Sequence, residues 1–154
     1  MEIVSNILSR IKWRNVFVVL ILLGVVFFVV KFLPLNYKVK DNIGLKASVS
    51  PDRLNVGERA KVSVEIKNMY PSSDATVVLS ASTYDKNLLF METSTQNFQS
   101  GDIKVGPSET REVSFTVEAR KEALAGNYRV DVKVAEKGSS AGAEDTLFLK
   151  VERA

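Results

Sequence analysis

The chain has 154 residues, with 21 Lys or Arg, 18 Asp or Glu, and neither Cys nor His. The absence of Cys and His excludes disulfides, zinc sites built on thiolate or imidazole, and catalytic triads that use either residue. Residues 1–40 contain 6 basic residues and 1 acidic residue, whereas residues 41–154 contain 15 and 17. The second region therefore lacks the positive surplus that nucleic-acid binding requires.

The first predicted element is a membrane-spanning helix over residues 16–35. Residues 16–30 contain no polar side chain. At about 1.5 Å per residue, a helix of this length covers roughly 30 Å, the thickness of a bilayer's hydrocarbon core. A cleaved signal peptide would need small residues after the run, and a buried helix is rarely apolar all round. A single uncleaved signal anchor is therefore preferred over both alternatives.

The flanks of the run support this interpretation. Trp13 and Tyr37 bracket the apolar residues, and their rings favour the two headgroup regions. Lys31 lies near one end, where its ammonium group can reach water. The residues expected to anchor the chain are Trp13, Arg14, Val16, Leu20, Phe27, Phe28, Lys31 and Tyr37.

Residues 1–15 form a basic tail whose apolar residues recur at helical spacing. This amphipathic pattern suits the membrane interface, but it equally fits an extension of the spanning helix. Basic residues flank the span in nearly equal numbers, so the positive-inside rule discriminates weakly. We expect a single-pass cell-membrane protein with a cytoplasmic N-terminus and an extracytoplasmic C-terminal domain, because long domains cross largely regardless of charge.

Residues 36–44 are polar and are expected to form a short stalk. From residue 45 to 154, apolar and polar residues alternate in about seven short runs separated by turn residues. Residues 60–67 are the clearest run, because Ala, Val, Val and Ile alternate there with Lys, Ser, Glu and Lys. Such a pattern predicts an all-β antiparallel sandwich or barrel.

Four consecutive apolar residues interrupt this alternation. They are Leu88, Leu89, Phe90 and Met91, and they cannot all point to one face of a strand. Some must therefore either plug the edge of the core or contact a partner. Both interpretations stay open at this stage. Tyr70 is a weaker candidate for the same partner surface.

Several motifs share the pattern of one domain type. They are residues 54–58 followed by 62–68, residues 103–107 before 113–117, and residues 124–132. Together they resemble immunoglobulin-like surface modules of the CARDB type, an adhesion-related domain of bacteria and archaea, and their NEW3-type relatives. The spacing of Leu124, Gly126 and Tyr128 also resembles a tyrosine corner, in which the hydroxyl bonds back to upstream backbone.

The resemblance implies an immunoglobulin-like β-sandwich with adhesion, scaffolding or carbohydrate-associated roles outside the cell, and it brings no catalytic residues. The combination of one span with one such domain is similar to archaeal surface-filament stator proteins. The low Gln content and the absence of Cys are weakly typical of a heat-adapted or archaeal source.

The carboxylates are scattered singly and match neither a calcium loop nor an evident pair across a cleft. We therefore expect no enzyme, no metal and no cofactor. The preferred function is a non-catalytic, membrane-anchored protein-interaction module, an accessory or structural subunit of a cell-envelope or membrane complex that binds through an exposed strand edge. The alternative is a carbohydrate- or surface-polymer-binding module. The expected partners are the lipid bilayer and another membrane or envelope protein, and homo-oligomerisation is left open.

Overall fold

The computed structural model describes residues 36–153, together with Val18 and Ile21. These two residues are helical, and about half of each is exposed. Among the described residues, no helix is both long and apolar enough to cross a membrane. The predicted tail and the rest of the predicted span lie outside the described residues, as do the anchor residues Trp13, Arg14, Val16, Leu20, Phe27, Phe28 and Lys31.

Within one compact unit, Asn36–Ala154, the described residues form strands and turns. The strands are β1 (Lys38–Lys40), β2 (Ile43–Ser50), β3 (Arg53–Asn55), β4 (Arg59–Asn68), β5 (Ala75–Thr83), β6 (Leu88–Phe90), β7 (Asn97–Gln99), β8 (Ile103–Val105), β9 (Thr110–Ala119), β10 (Gly126–Glu136) and β11 (Ala143–Glu152). Sheet A has the order β1-β2-β4-β9-β6, and sheet B has the order β3-β11-β10-β5-β7, with β8 also beside β5. The predicted all-β sandwich is confirmed.

The alternating sequence of β4 shows how the core forms. Val62, Val64 and Ile66 are fully buried, while the residues between them face outwards on sheet A. Burying a side chain of this kind contributes about 1.5–3 kcal/mol. Strands β5 and β10 repeat the pattern from sheet B, so the core lies between the two inner faces.

The segment expected to be a stalk belongs to sheet A. Residues 38–40 pair with residues 43–45 across a two-residue turn at Asp41 and Asn42. Both turn residues have positive φ, 50° and 60°, which matches the twist of a hairpin and suits short polar side chains. Because the chain pairs with its own edge strand here, the folded domain begins at about residue 36 and not at residue 45.

Tyr37 lies against the outer face of sheet A. Its hydroxyl donates a hydrogen bond to Oε2 of Glu65 at 2.8 Å, and Nζ of Lys46 donates to Oε1 of the same carboxylate at 3.0 Å. The hydrogen bond from Tyr37, followed by that from Lys46, lowers the pKa of Glu65. The hydroxyl of this predicted membrane-interface residue is therefore bound to the domain itself.

A tyrosine corner closes the start of β10. The hydroxyl of Tyr128 donates to the carbonyl oxygen of Leu124 at 2.7 Å, while the ring is buried in the core. This arrangement is the one that the spacing of Leu124 and Tyr128 predicts, and it is a known feature of immunoglobulin-like sandwiches. The motif-based prediction is confirmed at atomic detail.

The outermost strands of both sheets are three residues long. These are β1 and β6 in sheet A, and β3, β7 and β8 in sheet B. Next to β6, a side chain also reaches a backbone donor of β9. Oε1 of Glu92 accepts a hydrogen bond from the N–H of Thr116 at 2.8 Å. The outer strands cover only part of their neighbours, because β6 pairs with Val117–Ala119 of β9 and β3 pairs with Lys150–Glu152 of β11. Longer stretches of β9 and β11 have a strand partner on one side only, so binding through an exposed strand edge stays a prediction.

Candidate binding groove

A groove of about 710 Å³ lies on the outer face of sheet B, which points away from the core. We call it the outer groove. Its volume falls within the range of about 300–1,000 Å³ that is common for ligand sites. Its floor is formed by outward-facing residues of β5 and β10, and its walls come from β7, β11 and the segment before β7.

Strand register builds the floor in rows. Ser82 of β5 pairs with Asp131 of β10, which pairs with Thr146 of β11. One row further along, Lys133 lies between Ser80 and Glu144 in the same way. Since side chains alternate along a strand, these residues share the outer face while their neighbours enter the core.

Four charged groups of the outer groove are paired with one another. Nε of Arg129 and the hydroxyl of Thr146 each donate to Oδ1 of Asp131 at 2.7 Å. Nζ of Lys133 lies 2.9 Å from Oε1 of Glu144. Partial burial acts to raise the pKa of Asp131, but the hydrogen bonds from Arg129 and Thr146 outweigh it, so the pKa lies below its ordinary value. The carboxylate of Asp131 is therefore ionised at neutral pH, and it already accepts hydrogen bonds from Arg129 and Thr146.

Uncharged polar groups supply the free hydrogen-bonding capacity. Asn97 and Gln99 of β7 pair with Ser82 and Ser80 of β5, so their side chains border the same floor. Within the described part of the chain, the side chains of Asn97, Gln99 and Ser82 make no hydrogen bond. Each side-chain amide offers two donors and an acceptor to a ligand, and the hydroxyl offers both functions.

Two exposed aromatic rings flank Arg129 on this face. Tyr84, at the end of β5, is 80% exposed, and Phe148 of β11 is 63% exposed. The guanidinium carbon of Arg129 lies 6.0 Å from the centre of the Tyr84 ring, and Arg129 pairs in register with Phe148. Two strand spacings separate β5 from β11, so the backbones of these two strands are about 10 Å apart.

The predicted partner surface does not form as a patch. Leu88 and Phe90 are fully buried, whereas Leu89, Met91 and Tyr70 are half-buried. The ring of Phe90 packs edge-on against Phe115, with 5.5 Å between the ring centres. The core-plug interpretation is therefore correct for Leu88 and Phe90, because alternation within β6 turns these two side chains inwards.

No group of three or more acidic side chains within residues 36–153 is arranged to hold a metal ion. At the outer groove, Asp131 and Glu144 instead contact neighbours of opposite charge, and Oδ2 of Asp145 accepts from the N–H of Ala47 at 3.4 Å. The groove is therefore lined by amides, hydroxyls, charged side chains and the ring of Tyr84, and Phe148 lies beside it next to Arg129.

No protein-family model matches the sequence, and no curated protein matches it. Solved structures match the fold. The CARDB domain of a Pyrococcus furiosus protein, determined in complex with di-metal ions, has a TM-score of 0.54 at 17% identity, over 71% of this chain and 87% of that domain. The fold is CARDB-like.

Other solved structures share the same architecture. Alpha-2-macroglobulin of E. coli matches with a TM-score of 0.58 at 12% identity, over 75% of this chain but only 7% of that protein. A FixG-related protein from Vibrio parahaemolyticus matches with a TM-score of 0.53 at 11% identity, over 73% of this chain and 99% of that chain. At these identities the similarity concerns the fold alone.

The metal ions of the Pyrococcus domain have no evident counterpart in the described residues, which lack a cluster of acidic ligands. Sequence reasoning also missed the outer groove itself. The sequence contains a signal for it, because Tyr84 directly follows β5 and continues the alternation that puts Ser80 and Ser82 on the outer face. The partners of these residues on β10 and β11 depend on register between distant segments.

Proposed function

We propose that this chain is a non-catalytic binding module anchored in the cell membrane, and that the outer groove is its ligand site. The observation that carries the proposal is a polar, concave surface of about 710 Å³ that includes the exposed ring of Tyr84 in its lining. Phe148 is also exposed and pairs in register with the lining residue Arg129. A concave surface with an aromatic ring and several polar groups is typical of ligand sites.

The absence of catalysis is part of the proposal. A general acid or base must be free to exchange a proton with a substrate. Asp131 already accepts hydrogen bonds from Arg129 and Thr146, and Glu144 is paired with Lys133. These contacts suit a rigid binding surface more than a reacting one.

The membrane anchor is inferred from the sequence. Residues 16–35 are long and apolar enough to span a bilayer once, and Trp13 and Lys31 suit its two boundaries. The proposed orientation places the N-terminus in the cytoplasm and the binding module outside. The module then acts as an accessory or structural subunit of a complex in the membrane or envelope.

The outer groove replaces the partner surface first expected at residues 88–91. Leu88 and Phe90 are committed to the core, so a partner at β6 would meet only the half-buried Leu89 and Met91. The outer groove instead offers a concave surface with the exposed ring of Tyr84 in its lining.

The proposal is tested by purifying the full chain from its native membrane in mild detergent and identifying the macromolecules that remain bound. The variant Ser82→Arg fills the floor of the outer groove. Ser63→Arg is a matched control, because Ser63 is also half-buried, but it faces outwards on sheet A. We expect Ser82→Arg to lose the bound component and Ser63→Arg to retain it. Equal recovery with both variants, or a lone monomer from the wild type, contradicts the proposal.

The orientation is tested separately by protease treatment of intact cells. We expect the domain to be cleaved from outside while a tag before residue 1 survives until lysis. Survival of the domain until lysis would reverse the orientation.

A further inference from the structure

We infer that the ligand of the outer groove is an uncharged oligosaccharide, held by Tyr84 and Phe148 through its ring faces and by Asn97 and Gln99 through its hydroxyls. This inference rests on the proposed function and names the ligand class of the same site.

The first support comes from the two exposed rings. A pyranose ring has an apolar face of C–H groups and an edge of hydroxyls, so it can cover an exposed aromatic side chain without burying its own polar groups. Tyr84 is 80% exposed and Phe148 is 63% exposed, which leaves one face of each ring accessible. The backbones of β5 and β11 are about 10 Å apart, two strand spacings, so the two rings can contact different sugar rings of one chain.

The second support comes from the unpaired polar groups. A sugar hydroxyl both donates and accepts hydrogen bonds, and side-chain amides do the same. Asn97 and Gln99 alternate on one face of β7, next to Ser82 and Ser80 on the neighbouring strand. These groups lie on the Tyr84 side of the site, whereas Phe148 lies on β11 at the other side of β10, so a ligand stacked on Tyr84 can place its hydroxyls along β7.

The third support is the charge of the site. The positive groups Arg129 and Lys133 are held against the carboxylates of Asp131 and Glu144 at 2.7 and 2.9 Å. Asp145 adds a further negative charge at the same wall. A phosphate, sulfate or uronate would therefore meet neighbouring carboxylates, whereas an uncharged sugar meets matched charges that can donate and accept hydrogen bonds.

The test uses the full chain in detergent and measures binding to hexasaccharides of glucose, mannose and N-acetylglucosamine. An oligomer of galacturonic acid serves as the acidic probe. We expect at least one neutral probe to bind with little dependence on salt, since no net charge is neutralised. Tyr84→Ala and Phe148→Ala should each weaken this binding by roughly tenfold or more.

Leu124→Ala is the control variant, because Leu124 is also 63% exposed and its hydrogen bond to Tyr128 uses the backbone carbonyl. It should leave binding unchanged. Circular dichroism of every variant checks that the sandwich is folded. Asn97→Ala combined with Gln99→Ala should weaken binding without removing a ring, which keeps the inference testable if an aromatic variant fails to fold.

Two results would overturn the inference. One is binding of the acidic probe alone, and the other is neutral binding that survives both aromatic substitutions in folded protein. If no neutral probe binds while Ser82→Arg still removes an envelope protein from the purified material, the glycan inference fails and the proposed function stands. If no neutral probe binds and Ser82→Arg retains every bound component, both the glycan inference and the proposed function fail.

Discussion

The hydroxyl of Tyr128 lies 2.7 Å from the carbonyl oxygen of Leu124 and ties the first residues of β10 to the loop that precedes them. The ring belongs to the core, whereas the carbonyl belongs to an exposed loop residue. This one bond therefore joins a surface loop to the interior of the sandwich.

Tyr128→Phe should lower the free energy of unfolding by about 1 kcal/mol, because the ring stays in place while the hydrogen bond is lost. Urea unfolding of both proteins measures the difference. Tyr84→Phe is the matched control, since the Tyr84 side chain is 80% exposed and its hydroxyl makes no hydrogen bond within the described residues. An equal effect of the two substitutions would show that the corner is not the cause.

Asn68→Ala should lower the free energy of unfolding more than Tyr128→Phe does. Asn68 is fully buried, and its Nδ2 donates to the carbonyl oxygens of Ser73, Val105 and Gly106 at 2.8, 3.0 and 3.0 Å. Removing the amide leaves buried acceptors without donors, which costs about 2–4 kcal/mol.

The same urea experiment measures the effect at Asn68. Asn55→Ala, at an exposed asparagine, should change the stability by no more than about 0.5 kcal/mol. A neutral Asn68→Ala would mean that water replaces the amide in this pocket.

Phe90→Ala separates the two interpretations of the apolar run. Phe90 is fully buried against Phe115, so its truncation should destabilise the domain by about 3–5 kcal/mol. Leu89→Ala removes a half-buried side chain of the same strand and should cost about 1 kcal/mol or less. Thermal unfolding of both variants provides the comparison. A stable Phe90→Ala protein that loses a bound partner would restore the partner-surface hypothesis.

Asp131 should make the stability of the folded domain depend on pH in the acid range. Its pKa in the folded protein lies below the ordinary value of 3.8, so ionised Asp131 stabilises the folded state. This contribution is fully present above the ordinary pKa and is lost as the pH falls through the lower pKa of the folded protein.

Asp131→Asn removes this titration while it keeps an acceptor for Arg129 and Thr146. The difference in melting temperature between wild type and variant should be largest near neutral pH and should shrink as the pH drops below about 4. A difference that stays constant down to strongly acid pH would show that another group is responsible.

The long strands could be predicted from sequence because each buries one face only. In β4, the buried Val62 and Val64 alternate with outward residues, and this period of two depends on no distant part of the chain. Strand β3 escaped prediction because it contains only one buried residue, Leu54, and its partner is Val151 near the end of the chain.

The hairpin at residues 38–45 has a signal in the sequence that the expectation of a stalk does not take into account. Its signal is the pair Asp41 and Asn42, which tolerate the positive φ of a two-residue turn. The polar composition of the segment instead suggested a linker. Lys38 and Lys40 are polar because β1 is an exposed edge strand, not because the segment is unstructured.

The candidate site was the least predictable part. Tyr84 and Phe148 are distant in sequence, and they flank Arg129 only because β10 lies between β5 and β11. Alternation shows that each ring is outside the core, but strand order decides that both belong to one face. Sequence patterns describe a strand's two faces, whereas a site across several strands needs the topology of the sheet.

The charge of β1 has a consequence for the way in which two copies of this domain can approach one another. Lys38 and Lys40 lie on this edge strand, and both are exposed. A second copy that approached with the same edge would bring four ammonium groups together, and like charges repel. The β1 edge is therefore protected against growth into a continuous sheet of identical copies.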